Sequence, residues 1–195
     1  MPVGNDVVDL RHPLCQPDAI HPRFDSRAFS AREIALLVAT QKAHQMRWSL
    51  WAAKESAFKA LRKLDSRVRF IPREFEVRLN ADQAEVTHRL GRFRVWLDCT
   101  DDWVHAVASQ AGEKPDFQLR GDSSIDPRSL EKGFRERVRR LASSALGGLL
   151  EIAPNEIEIV SVNRVPQAQR QGQPLAFDLS LSHDGRFVSC AWESV

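Results

Sequence analysis

Asp6 and Asp9 border a short apolar strand, and Glu55 lies between Trp51 and Phe58 on a segment with helical spacing. Mg2+ takes oxygen ligands and commonly uses one or two protein carboxylates, with water and substrate phosphate in its other positions. Asp6 with Glu55 suits that pattern. A plainer arrangement is also open: Glu55 pairs with Lys59 one turn on, a contact worth ~0.3 kcal/mol, while Asp6 caps a turn. Lys54, Lys59, Arg62 and Lys63 string cations along the same segment. They could offset a pyrophosphate, or complement the negative end of the helix dipole.

Ser182 and His183 close an alternating run, Phe177, Leu179, Leu181, just before a turn at Asp184 and Gly185. Adjacent strand residues point to opposite faces, so a Ser-His nucleophile pair is disfavoured. A phosphate-binding role needs only a donor, and a core or rim histidine is the other reading. Lys132 to Arg140 (KGFRERVRR) gives a basic helix face that could meet an acidic protein or nucleic acid, or simply solvent. No aromatic-interleaved basic segment accompanies it, so the expectation is no nucleic-acid partner.

Several elements must position these residues. Val7 to Leu10 reads as a strand, and Pro13, Pro17 and Pro22 mark a loop. Ser30 with Glu33 forms a capping box that starts a helix. A second helix runs from about His44 to Leu64, with Trp48, Trp51, Ala52, Phe58 and Leu61 at three- and four-residue intervals. Phe75 to Leu79, Phe93 to Leu97 and Trp103 to Ala108 read as strands of a mostly antiparallel sheet. The polar stretch from Ala111 to Pro127 is the linker candidate, with Asp126 and Pro127 opening a helix that ends near Gly147 and Gly148. Strands follow around Ile157 to Val165 and Phe177 to Trp192.

The chain has 195 residues, 43% of them hydrophobic, with ten Phe and five Trp, enough to build a core. Twenty-eight Lys and Arg against 26 Asp and Glu leave a formal charge of +2, which singles out neither nucleic acid nor a membrane surface. Cys15, Cys99 and Cys190 show no zinc or disulfide spacing and read as buried thiols of a reducing compartment. No apolar run approaches the ~18 residues of a membrane helix, and no basic segment opens the chain. A cytoplasmic protein with no membrane partner is expected.

Phe177 to Trp192 laid without gaps on Phe93 to Ala108 matches Phe177 to Phe93, Leu181 to Leu97, Phe187 to Trp103 and Val188 to Val104. Duplication and two generic hairpins explain this echo equally well. A true duplication implies two similar halves. Ser182 and His183 align with Asp98 and Cys99, so it also implies a single active site.

In type and order, three segments resemble the signatures of the 4'-phosphopantetheinyl transferase superfamily. They are Gly4 to Leu10 (GNDVVDL), Trp51 to Leu61 (WAAKESAFKAL) and Leu179 to Gly185 (LSLSHDG). Phe29, Ser30 and Glu33 resemble its FSxxE segment. Larger members carry the SH half first and the GID and KE half second; here the order is reversed, as in a circular permutation.

The resemblance implies an α+β pseudo-dimer with mostly antiparallel sheets, its halves at residues 1–115 and 125–195 joined by a linker at 116–124. It implies a magnesium-dependent transfer of 4'-phosphopantetheine from coenzyme A to a serine of an apo acyl or peptidyl carrier protein, within a monomer. Mg2+ would sit at Asp6 and Glu55, with Glu55 as base and Lys59 assisting. Lys54, Lys59, Ser182 and His183 would meet coenzyme A.

Two departures matter. Val8 stands where many two-half members have a second acid, with Asp9 one residue further on. Gly172-Gln173-Pro174 replaces the family's Gly-Lys-Pro, which implies either a lower substrate affinity or a substitute cation from Arg164 or Arg170. These departures also motivate an alternative, a family member that binds coenzyme A or a carrier protein without transfer.

Overall fold

A computed structural model describes residues 1–80, 83–122, 124 and 133–195. The first part runs β1 (Val3–Asp9), α1 (Phe24–Ala28), α2 (Ala31–Ala39), α3 (Ala43–Leu64), β2 (Glu76–Asn80), β3 (Gln83–His88), β4 (Gly91–Cys99) and β5 (Trp103–Ser109). The second runs β6 (Asp116–Gly121), α4 (Phe134–Leu150), β7 (Ile157–Val162), β8 (Val165–Arg170), β9 (Gln173–Pro174), β10 (Phe177–Asp184) and β11 (Phe187–Ser194). The fold is α+β with antiparallel sheets.

Five strands in the order β1-β5-β4-β3-β2 form the first sheet, and α3 lies across it. Ala52, Ala53, Ala57 and Ala60 on α3 are fully buried, with Leu50 and Leu61 on the same packed side. Small side chains let helix and sheet approach closely. Gly4 marks the tightest point, because a Cβ there would overlap the Ser56 carbonyl oxygen of α3. The capping box holds as read: Ser30 Oγ accepts from Glu33 N–H, and Glu33 accepts from Ser30 N–H.

The second part has one sheet ordered β10-β11-β6 and another ordered β7-β8-β9. Helix α4 buries Val138, Leu141, Ala142 and Leu146 against them. In both parts the first strand pairs with the last, β1 with β5 and β6 with β11. The echoed segments are the β4–β5 and β10–β11 hairpins, and their matched residues Trp103 and Phe187 touch across the seam with centroids 6.4 Å apart.

One reading needs correction. Asp116–Gly121, read as linker, is an edge strand of the β10-β11-β6 sheet, because Phe117 fills the seam beside Val3, Val107 and Ala191. Helix α4 ends at Leu150, near Gly147 and Gly148 as expected, and Glu151 takes the left-handed conformation. Phe24–Ala28, just beyond the proline-rich stretch, is a short helix for which no element was read. The proposed cap at Asp126 and Pro127 lies outside the described residues. Among the described residues no helix is long and apolar enough to cross a membrane.

Candidate active site

The close approach at Gly4 brings Asp6, on the same face of β1 two residues later, against α3. Lys59 Nζ donates to Asp6 Oδ1 at 2.9 Å and to the Asn5 carbonyl at 2.9 Å, with Glu55 Oε1 3.7 Å away. Ser182 Oγ lies 2.9 Å from the same Asp6 oxygen. The two parts of the chain thus meet at one carboxylate.

Strand β10 holds β1 through side chains. The outward N–H groups of Val3, Asn5, Val7 and Asp9 donate in turn to Asp178 Oδ2, Ser180 Oγ, Ser182 Oγ and Asp184 Oδ2. These N–H groups form the unpaired edge of the first sheet, which otherwise invites association with another strand. The period-two pattern Asp-x-Ser-x-Ser-x-Asp at 178–184 was the sequence signal for this ladder, and the sequence reading missed it.

Asp9 faces away from Asp6 and is fully buried. Arg186 reaches it with Nε at 2.9 Å, Nη2 at 2.7 Å and its backbone N–H at 3.0 Å, while Arg11 N–H adds another bond. Burial works to raise the Asp9 carboxyl. The Arg186 bonds, the Arg11 N–H and the Arg186 charge outweigh burial and hold it below the ordinary carboxylate value. Gly185, at φ 48°, turns the chain where any Cβ would strike Asp9. Asp9 is thereby fixed as a clamp on the Asp184–Arg186 turn.

Lys54 is placed elsewhere than its motif suggested. Its side chain is fully buried, donating to Glu33 Oε2 at 2.7 Å and to the Pro72 carbonyl at 3.0 Å. It ties α3 to α2 and cannot meet coenzyme A without leaving the core. Arg170 pairs with Glu156 at 2.6 Å on the exposed surface and is not brought to the site. Arg164, at φ 66°, lines a cleft of ≈ 360 Å³ with Glu55, Lys59 and Arg62. His183 stacks on Phe134 at 5.0 Å and borders a second cleft of ≈ 250 Å³, which Asp6, Glu55, Trp48, Trp51 and Asp184 also line. Glu55, which lines both, therefore stands where a basic cleft meets an aromatic one, with Lys59 on the basic side.

The charge of Asp6, followed by burial, pushes the Glu55 carboxyl up to about 7 against the opposing pull of Lys59. Burial disfavours the Lys59 ammonium, but Asp6 and Glu55 outweigh it and raise its proton affinity. Burial also pushes Asp184 up to about 6, with the Asp6 and Asp9 charges adding to it and the Asp9 N–H opposing.

Among the described residues no group of three or more His, Cys, Asp or Glu is arranged to hold a metal ion. The chemistry of the Asp6 and Glu55 pair nonetheless fits Mg2+. The two carboxylates are close enough for one to suppress ionisation of the other, and among the described residues no hydrogen bond reaches Asp6 Oδ2. Two carboxylates, with water and phosphate filling the rest, are the usual complement of that ion.

Residues 2–108 match the 4'-phosphopantetheinyl transferase superfamily, over more than half of the chain. The chain belongs to that superfamily. The matched region contains the Gly4–Asp9 and Trp51–Lys59 segments, while Ser182 and His183 lie beyond it and join the site through the fold. Among solved structures, the holo-[acyl-carrier-protein] synthase of Thermotoga maritima is 17% identical, covering 89% of this chain and 84% of its own, at a TM-score of 0.44. None of the curated proteins matches the chain. As a superfamily member the protein is a transferase of the phosphopantetheinyl class.

Proposed function

We propose that the protein transfers 4'-phosphopantetheine from coenzyme A to a serine of an apo acyl or peptidyl carrier protein, releasing adenosine 3',5'-bisphosphate. The observation that carries this reading is Asp6, Glu55 and Lys59 gathered between a basic and an aromatic cleft. The two parts, with strands at residues 3–109 and 116–194, act as a pseudo-dimer, so a monomer supplies both walls.

Arg62 and Arg164 receive the phosphates of coenzyme A in the basic cleft, Arg164 standing in for the family lysine that is Gln173 here. His183 bounds the pyrophosphate from the second part. Asp6 and Glu55 would hold Mg2+, which when bound would supply positive charge for the transferred phosphoryl group. Lys59 keeps its proton and screens the same negative charge.

The carrier serine enters from the aromatic side and presents its hydroxyl to Glu55. Its oxygen forms a bond to the β-phosphorus as the bond from that phosphorus to the bridging oxygen breaks, and the bridging oxygen leaves with the bisphosphate. Glu55 takes the serine proton.

The test is intact mass of a panel of apo carrier proteins incubated with coenzyme A and Mg2+. A gain of ~340 Da that disappears with EDTA and with Glu55→Gln supports metal-assisted transfer. Coenzyme A binding with no mass gain on any carrier favours the binding-protein alternative.

A further inference from the structure

Ser182 has a fully determined hydrogen-bond arrangement. Val7 N–H lies 3.2 Å from its Oγ, and Lys59 Nζ also lies 3.2 Å away. A backbone amide and an ammonium can only donate, so both lone pairs of the hydroxyl are taken. Its single proton is left for Asp6 Oδ1 at 2.9 Å, an acceptor when ionised. The Ser182 side chain is buried, and its hydroxyl has no further capacity for a substrate phosphate. This corrects the expectation that it contacts coenzyme A.

Asp6 Oδ1 in turn receives two donors, Lys59 and Ser182, both at 2.9 Å. That double contact fixes the rotation of the carboxyl group and keeps Oδ1 engaged. Oδ2 is left as the oxygen that takes no hydrogen bond among the described residues. Ser180 makes an instructive contrast. It occupies the preceding rung of the same ladder and accepts from Asn5 N–H at 2.9 Å, yet it makes no bond to Asp6.

We propose that Ser182 is a positioning residue which, from the second part of the chain, orients Asp6 so that Oδ2 is presented to the divalent cation. The inference rests on the transferase reading insofar as Asp6 is a metal ligand. It assigns the serine of the Ser-His pair to the metal rather than to coenzyme A. Groups that orient a metal ligand commonly contribute ~10- to 100-fold in affinity.

The experiment titrates Mn2+ into wild type, Ser182→Ala and Ser180→Ala in the presence of coenzyme A, reading free Mn2+ by electron paramagnetic resonance. Thermal midpoints are recorded alongside. Ser182→Ala is expected to weaken Mn2+ binding about tenfold and to raise the Mg2+ concentration for half-maximal rate by a similar factor, with kcat at saturating Mg2+ much less affected. Ser180→Ala is expected to lower the midpoint comparably and leave Mn2+ affinity unchanged.

If Ser182→Ala fails to fold, the isosteric pair Ser182→Thr and Ser182→Val makes the same comparison, and only Val loses affinity. Equal Mn2+ affinity in wild type and Ser182→Ala, or equal weakening in the Ser180 variant, overturns the inference while leaving transferase activity intact. A wild type that binds no Mn2+ overturns the inference together with the metal-site reading.

Discussion

The Glu33–Lys54 pair gives the sharpest test of how the WAAKES segment divides its labour. Both side chains are fully buried, and Glu33 also accepts from Val77 N–H at 2.7 Å, so one carboxylate joins α2, α3 and β2. Burial lowers the proton affinity of Lys54, and Glu33 opposes that shift. Removing one partner of a buried ion pair strands the other and costs about 3–5 kcal/mol. At 2–4 °C per kcal/mol for a chain of this size, Lys54→Met should lower the melting midpoint by ~6–20 °C. Glu33→Gln strands the ammonium and should cost about 3 kcal/mol or more, although its amide oxygen still accepts from one backbone N–H. In the double variant no charge is stranded, so its loss should fall short of the sum of the singles by about 2 kcal/mol, within the usual range for residues in contact. Urea unfolding of the four proteins measures this coupling, and the KM for coenzyme A of Lys54→Met should stay within about twofold of wild type. Additivity within ~0.5 kcal/mol would refute the buried-pair argument. A large rise in KM with little loss of stability would return Lys54 to the substrate.

Two further outcomes are expected besides those for Glu55 and Ser182. Gly4→Ala pushes β1 off α3, costing about 1–3 kcal/mol of stability, and should depress transfer further, by ~100-fold, because Asp6 moves relative to Glu55; melting and carrier mass gain measure the two effects. Asp9→Asn should cost on the order of 1–3 kcal/mol at pH 7, since Arg186 loses its two-pronged carboxylate partner and keeps the longer Asp102 contact at 3.4 Å. The Asp9 carboxyl is depressed in the folded protein, so its contribution is complete above the unfolded value of about 3.9 and is lost as pH falls through the lower folded value. The gap between wild type and Asp9→Asn in urea unfolding should therefore narrow below pH 4. The raised Asp184 carboxyl acts in the opposite direction as pH rises toward 6, and more weakly in Asp9→Asn, which lacks the Asp9 charge that adds to that rise.

Local signals were legible where one element satisfies itself. The Ser30–Glu33 box and the stripe on α3 needed only neighbours within a turn or two, and both stand. Strand β3 was not read, because Gln83-Ala84-Glu85-Val86-Thr87-His88 is weakly apolar and earns its place from partners on both sides. Edge strand β6 was lost for a similar reason. For the site, the fold brings Asp6, Glu55 and Lys59 beside one another, whereas the motif treated Lys54 and Lys59 alike. Five residues at 3.6 per turn separate them by about 140° around the helix, enough to send one to the core and the other to the cleft. Arg186, which clamps Asp9, and Val7, which donates to Ser182, each sit some 175 residues from their partner, and the alternation at 178–184 marks one side of such a contact without naming the strand it meets.

The ladder joining β10 to β1 also separates architecture from connectivity. Every strand pairing among the described residues lies within residues 3–109 or within 116–194. The Met1 ammonium meanwhile lies 3.6 Å from Glu193 Oε1. A chain opened between Ser109 and Asp116 and closed across that short gap would keep each main-chain ladder whole. The order in which the two parts are translated is thus a free variable for this fold, whereas the side-chain spelling of the join is not.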